Sequence, residues 1–510
     1  MGSRILIRAG RPPHRPVRLE AAHAYRNVGT IATNSGNLLF QDAVYRTLRT
    51  PGTELVVDSL STERRGVDQA HIDRINAEFD LLVLPLANSF REDFLTPLGR
   101  LTDVVEKLSI PVVVTGVGGQ VGVEGDPTHA GGEIDAATTR FVRAILERSE
   151  SIGVRGEFTK AYLEHLGFPA DRIDVIGCPS LHVFEPGTQV PSPSGTLAPD
   201  ARLAVNLTPS VPWMRTFLER NLAAYPNLTY LPQDNDTLGL LLWGEEFDAP
   251  AGFPGSLDHE LCRDDKIRFF TEPIPWQRFL ATQDFACGSR FHGNVAALLA
   301  GIPAFQLAHD SRTVELARFH QIPYQEYPIE AHVPAEELDA SALYEQCDLT
   351  AFNAAREPNR DLWFAFLDRN GLPHGDVPDP EYSAELARAD YPAAARPLTE
   401  ADPRMLAERL RWLHQGTRGD ELRCGGAYAP EFAPALGHVR DVQTRFTELR
   451  ERMNLQSTTI KEQRTRISEL TRTVDKQSRQ LAMLIARTAP LHTRIARRLR
   501  RLFGAASPSA

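Results

Sequence analysis

From about Leu19 to Tyr344 the chain alternates short, almost wholly apolar runs with longer stretches whose apolar residues recur at helical spacing. The runs FDLLVLPLA (Phe79–Ala87), IPVVVTGVG (Ile110–Gly118), SIGVR (Ser151–Arg155) and RIDVIG (Arg172–Gly177) read as strands. Several are apolar almost throughout, as strands covered on both faces should be. Between them GNLLFQDAVYRTL (Gly36–Leu48) and TRFVRAILERS (Thr139–Ser149) read as helices. A second set begins at RLAVNLTPS (Arg202–Ser210) and continues through NLTYLPQ, DFACGSR and IPAFQLAHD, each followed by helix-like sequence. Such alternation predicts an α/β fold with mostly parallel sheets.

The segment EPGTQVPSPSGTLAPD (Glu185–Asp200) is rich in Pro, Gly and Ser and reads as a linker. The pattern therefore predicts two α/β domains, residues 19–190 and 200–372, the second closed by the helical NRDLWFAFLDRNGL. Two such domains place a ligand cleft between them, at the carboxyl ends of their strands. Residues 373–434 read as a loose connector with one short helix at Met405–Gln415. Over residues 435–487, Val439, Phe446, Met453, Ile460, Ile467, Val474 and Leu481 recur every seven residues, with Val442, Leu449, Leu470 and Leu484 at a second seam position. That repeat predicts a C-terminal coiled-coil helix, and Gln456, Gln463 and Gln477 in its seam would set register at some cost in stability. Self-association follows as the expected use, and packing back on the α/β body is the alternative. In the tail, residues 488–510, TRIARRLRRLFG sets Ile495, Leu499, Leu502 and Phe503 against five arginines. This suits a helix on an anionic bilayer surface, and equally a solvated end.

Composition narrows the partners. With 56 Lys plus Arg against 66 Asp plus Glu in 510 residues, bulk charge does not favour nucleic acid. The five cysteines form no close pair, so neither a metal cage nor a disulfide framework is expected. No run approaches a membrane span or a signal peptide core, and a soluble cytoplasmic protein is expected.

The candidate chemistry sits at strand ends. In CGSRFHGNVAALLAGIP, Arg290 and His292 lie between a strand's carboxyl end and a helix start, where free amides and the helix dipole favour an anion. A guanidinium grips carboxylate or phosphate in a planar fork, and imidazole exchanges protons near neutrality. On spacing alone, His292 capping the helix and Arg290 pairing with a carboxylate is an equal alternative. Arg155 closes a short strand in the same way, and His309, Asp310 and Arg312 lead from a strand into a helix that Asp310 or Ser311 could cap. The loop RNVGTIATNSGNLLF offers Asn27, Gly29, Asn34 and Asn37 as amide and backbone contacts for sugar hydroxyls, although a plain turn and cap explains it nearly as well. TGVGGQVGVEG is no dinucleotide fingerprint, because Val121 stands at the third glycine position.

Taken together, SRFHGNVAALLAGIPAF, HDSRTVEL, SIGVRGEFTKAYLEHLG followed by DVIGCPSL, and NVGTIATNSGNLLFQDAV resemble the polysaccharide pyruvyl transferase family, from about Asn27 to Leu372. The resemblance implies a GT-B-like pair of Rossmann-like domains that moves the pyruvyl group of phosphoenolpyruvate onto a sugar as a cyclic ketal, with no cofactor. It places Arg155 and Arg290 on the donor and makes His292 the acid–base residue. Thr30 and Gly156 stand where many relatives have acidic residues, differences that bear on the acceptor more than on the fold. A nucleotide-sugar glycosyltransferase of the same architecture and a non-catalytic coiled-coil scaffold are the competing readings.

Overall fold

The computed structural model describes residues 3–24, 34–63, 67–120, 132–185, 187–375, 379–400, 403–415, 463–480, 483 and 491–502. The chain divides into two units, Met1–Val439 and Arg440–Ala510.

In the first unit, strands β1 (Arg4–Ile7), β2 (Glu54–Val57), β3 (Leu81–Pro85), β4 (Asn88–Phe90), β5 (Val112–Thr115), β6 (Gly118–Gly119), β7 (Ile152–Val154) and β8 (Ile173–Val175) precede residue 200. Strands β9 (Leu203–Asn206), β10 (Thr229–Tyr230), β11 (Phe285–Gly288), β12 (Ala304–Ala308) and β13 (Tyr324–Glu326) follow it. The first sheet runs β2-β1-β3-β5 and the second β10-β9-β11-β12-β13. Every pairing in both is parallel, as are the small pairs β4-β6 and β7-β8. The all-buried Leu81–Pro85 and Val112–Thr115 show why their sequences read as unbroken apolar runs: both sheet faces are covered.

One face of the first sheet packs with Leu98, Leu101, Phe141 and Ile145. The other face, with Ile5, Ile7 and Val83, receives Trp363, Phe366 and Leu367 of the helix Thr350–Arg369. After building the second sheet the chain thus returns to cover the first, although the sequence attached this helix to the second set of elements. Strand β1 also lies ahead of the Leu19 boundary read from the sequence, and it is central in its sheet.

Two segments expected to be loose are packed. In the Glu185–Asp200 stretch, Val190 and Leu197 are buried, and Asn353 holds the Val190 backbone at both N–H (3.0 Å) and carbonyl (2.8 Å). In the 373–434 connector, the expected helix is present as Pro403–Gln415. An unexpected one, Pro380–Arg388, buries Tyr382, whose hydroxyl donates to Asp42 at 3.1 Å. Composition masks such segments, because a few anchoring side chains suffice to hold them.

In the second unit, residues 463–480 and Leu491–Leu502 are helical. Ile467, Leu470 and Val474 are exposed on the first of these helices, Ile495 and Leu499 on the second. The other expected seam residues, from Val439 to Ile460 with Leu481 and Leu484, lie outside the described residues, as does Phe503. Among the described residues no helix is long and apolar enough to cross a membrane.

Candidate active site

The turn SRFH is built by close approach of two strands. Strand β11 runs so near β9 that a Cβ on Gly288, which has φ +149°, would fall 1.8 Å from the Asn206 carbonyl oxygen. Only glycine fits there. The Asn206 side chain then accepts from the Arg290 N–H (3.1 Å) and donates to Asn294 (2.8 Å), which in turn donates to Gln306 (2.8 Å). This buried amide network, fully bonded, fixes where the helix Phe291–Leu299 begins and therefore where Arg290 and His292 point.

Both point into a cavity of about 390 Å³, lined from the first half of the chain by Asn34, Asn37, Phe40, Asn88, Gln120 and Arg155, and from the second by Gln233, Arg290, His292, His309, Asp310 and Arg312. The halves are stitched at its rim. Asn34 bridges to Asp234, and Gln120 donates to Asp310 at 3.2 Å.

Arg155 is the most constrained cation of the set. It follows β7, its N–H donates to the Val117 carbonyl (3.0 Å) and its Nε to the Gly116 carbonyl (2.7 Å). The side chain is 0 % exposed, yet neither terminal guanidinium nitrogen has a hydrogen-bond partner. The guanidinium carbon stands 5.7 Å from the Phe40 ring. Burial pushes its pKa below the ordinary arginine value, with the Cys178 and Glu315 fields opposing that shift. A buried charge left so poorly compensated is costly to the fold, which an anion in the cavity would offset.

His292 is not the helix cap; Arg290 occupies that position. The imidazole packs between Phe40 and Phe291, with its Nε2 3.5 Å from the Cys178 sulfur. Burial, and then Arg155 and Arg312, hold its pKa well below the usual value, so it is neutral at pH 7. Arg290 does pair with a carboxylate, Asp234, while its Nε donates to the Leu207 carbonyl at 3.1 Å. Asp310 is the N-cap of the helix Ser311–His320, bonded to the Thr313 N–H at 2.8 Å and to Arg312 at 3.1 Å. Burial raises the Asp310 pKa, but Arg312, His309 and the Thr313 bonds outweigh it and hold the carboxylate at about 2. Burial lowers the His309 pKa, against the pull of Asp310.

The structure therefore gathers Arg155, Arg290, His292, His309 and Arg312, with Asn34 and Asn37, around one cavity. Asn27 and Gly29 lie outside the described residues. Among the described residues no cluster of three metal-ligating side chains occurs, and Cys178, Cys262, Cys287 and Cys347 are free buried thiols.

The sequence model described as Polysaccharide pyruvyl transferase matches residues 34–311, more than half of the chain. The chain belongs to the polysaccharide pyruvyl transferase family. No curated protein matches it. Solved structures that overlay on it include a UDP-N-acetylglucosamine 2-epimerase (10% identity, TM-score 0.38, 72% of this chain and 95% of that one). Others are the Neisseria meningitidis UDP-GlcNAc 2-epimerase bound to UDP-GlcNAc (10%, 0.41, 72% and 100%) and the glycotransferase of kitacinnamycin (13%, 0.32, 72% and 95%). Overlaps this loose carry nothing about ligand or activity.

Sequence reasoning missed several groups in this pyruvyl transferase family cavity. Arg8 and Glu63, joined by a two-pronged ion pair (2.6 and 2.8 Å), form part of its wall, as do Arg91, Asn88 and Gln120. For Arg8 the signal was present: it directly follows the carboxyl end of β1, the position that singled out Arg155. For Asn88, the first residue of β4, and Gln120, which follows β6, no local pattern marks a site.

Proposed function

We propose that the protein transfers the pyruvyl group of phosphoenolpyruvate to two hydroxyls of a sugar, forming a cyclic ketal and releasing phosphate. The carrying observation is the fully buried Arg155, with two unpartnered nitrogens, in the same cavity as Arg290, Arg312 and His292. Three guanidinium groups suit a small donor carrying both carboxylate and phosphate. The amides of Asn34, Asn37, Asn88, Gln120 and Gln233, beside Thr208, suit sugar hydroxyls.

In this reading the donor's negative charge opposes the Arg155 and Arg312 fields on His292, so the imidazole takes up a proton as the donor binds. His292 then delivers that proton to the methylene carbon while a sugar hydroxyl attacks the adjacent carbon. The second hydroxyl displaces phosphate. Of the two hydroxyl protons, one replaces the proton His292 gave up and the other leaves with phosphate, so the ring ends as it began. The two sheets act as two Rossmann-like domains in a GT-B-like arrangement, hinged about the cavity. The exposed stripe of Ile467, Leu470 and Val474 pairs with a second copy of the chain, and the arginine-rich Leu491–Leu502 helix lies on an anionic bilayer at the cytoplasmic face.

The test is incubation with phosphoenolpyruvate and candidate glycans, following free phosphate and a mass gain of one pyruvyl ketal. Turnover that His292→Ala abolishes while donor binding persists supports the reading. Nucleotide release from a nucleotide sugar would instead establish a glycosyltransferase, and no turnover with any donor would favour the scaffold.

A further inference from the structure

The helix Glu157–His165 starts two residues after Arg155, and its N-cap is Gly156, which has no side chain with which to accept from the helix's first amides. The acceptor arrives from 156 residues away. Glu315, on the helix Ser311–His320 that follows β12, places its carboxylate at this N-terminus: Oε2 accepts from the Thr159 N–H at 3.1 Å and Oε1 from the Thr159 hydroxyl at 2.9 Å. Thr159 is the third helical residue, the one whose amide an N-cap side chain ordinarily binds. The Thr159 hydroxyl in turn accepts from the Gly119 N–H at 3.2 Å. A Cβ added to Gly156 would lie 2.8 Å from both the Cβ and the Oε2 of Glu315, so the borrowed carboxylate fills the space a local cap would need. Gly156 has φ −172°, an extended conformation open to any residue; it is the crowding by Glu315 that keeps the position small.

Arg155 is held by the same arrangement. Its stem passes Gly118, where a Cβ would be 3.0 Å from the Arg155 Cδ and 3.3 Å from Oε1 of Glu315. Glu315 acts on Arg155 through its field but not through a hydrogen bond, because both terminal nitrogens of Arg155 lack one.

We propose that Glu315 is a positioning residue that supplies, from the second half of the chain, the helix cap missing at Gly156, and thereby fixes Arg155 at the anion-binding end of the cavity. This rests on the reading of Arg155 as a donor contact. The two halves must be together for the cap to form, so the anion grip and the closed arrangement of the sheets are one event.

Four full-length proteins test it: unmodified, Glu315→Ala, Gly156→Asp, and the two combined, each measured for phosphoenolpyruvate KM, kcat and melting temperature. Losing a cap of ordinary strength corresponds to about a tenfold change in an equilibrium. Glu315→Ala should therefore raise the donor KM about tenfold with little change in kcat, and lower the melting temperature. Gly156→Asp alone should also be impaired, because its side chain collides with Glu315. In the double variant the aspartate occupies the vacated space and caps its own helix, so KM and melting temperature should recover to within about threefold and a few degrees of the unmodified protein. Glu315→Gln, which keeps one acceptor oxygen, should resemble the unmodified protein in KM. A double variant no better than Glu315→Ala would overturn the cap. An unchanged donor KM in Glu315→Ala, with only the melting temperature lowered, would overturn the positioning role. Failure of the unmodified protein to bind phosphoenolpyruvate would overturn the donor reading and the positioning role with it, and leave the cap standing on its reciprocal melting temperatures.

Discussion

Arg155 holds a charge at 0 % exposure without partners for its terminal nitrogens, whereas Ile467 holds a hydrocarbon side chain at 62% exposure. Each is an uncompensated group in the environment that suits it least. Around Arg155 the surroundings are closely bonded: its Nε donates to the Gly116 carbonyl, Glu315 holds the N-terminus of the helix that follows it, and an amide network sets the helix that carries His292. Around Ile467 there is a single helical face with Leu470 and Val474. A fixed, enclosed cation selects a small anion of matching shape, because preorganised charge in a low-dielectric site discriminates strongly. A long apolar stripe selects a surface of matching period, which another such helix provides.

The largest effect is expected at Arg155. Replacing it by Met keeps volume and removes the buried charge. We expect kcat/KM to fall on the order of a thousandfold while stability rises by on the order of 2 kcal/mol, read by denaturant unfolding. Loss of both activity and stability would mean that Arg155 is a structural ion. At the other region, Ile467→Asp with Val474→Asp should weaken self-association about a hundredfold by sedimentation and leave kcat within about twofold. Unchanged mass would show that the stripe serves something else. Arg497→Glu with Arg498→Glu should weaken binding to phosphatidylserine vesicles by at least about tenfold and leave binding to neutral vesicles unaltered.

The remaining effect is one of pH and concerns Glu315. Burial, opposed by the Thr159 bonds and Arg155 and reinforced by Asp310, raises its pKa from 4.5 to about 7. A carboxyl raised in the fold favours the folded state below its unfolded pKa, and that contribution is lost as pH climbs through the folded value. Glu315→Gln has no such proton to lose. It should match the unmodified protein near pH 4.5 and exceed it above pH 7, by on the order of 3 kcal/mol.

How much of this was legible follows the same division. Leu81–Pro85 and Val112–Thr115 announced themselves because burial on both faces leaves no polar position to dilute the run. Strand β1 did not, since its four residues RILI start at Arg4 and are followed by Arg8, which hides a short core strand. Arg155, Arg290 and His292 were legible because each sits just past a strand's carboxyl end, a position defined by local pattern. The Asp234 partner of Arg290 was not, because it is set by how the strand ends of the second sheet fall side by side, and the Glu315 cap was not, because it is set by which helices of the two halves meet. The Pro380–Arg388 helix was hidden for a related reason: its one buried anchor, Tyr382, finds its partner Asp42 340 residues away.

The most direct test of the central claim is calorimetric titration of phosphoenolpyruvate into the full-length protein and into Arg155→Met near pH 7.5, in two buffers of different ionisation enthalpy. Saturable binding is expected with uptake of close to one proton, acquired by His292 as the donor's charge offsets Arg155 and Arg312, and no measurable binding to Arg155→Met. Equal binding by both proteins, or none by the unmodified one, would contradict it.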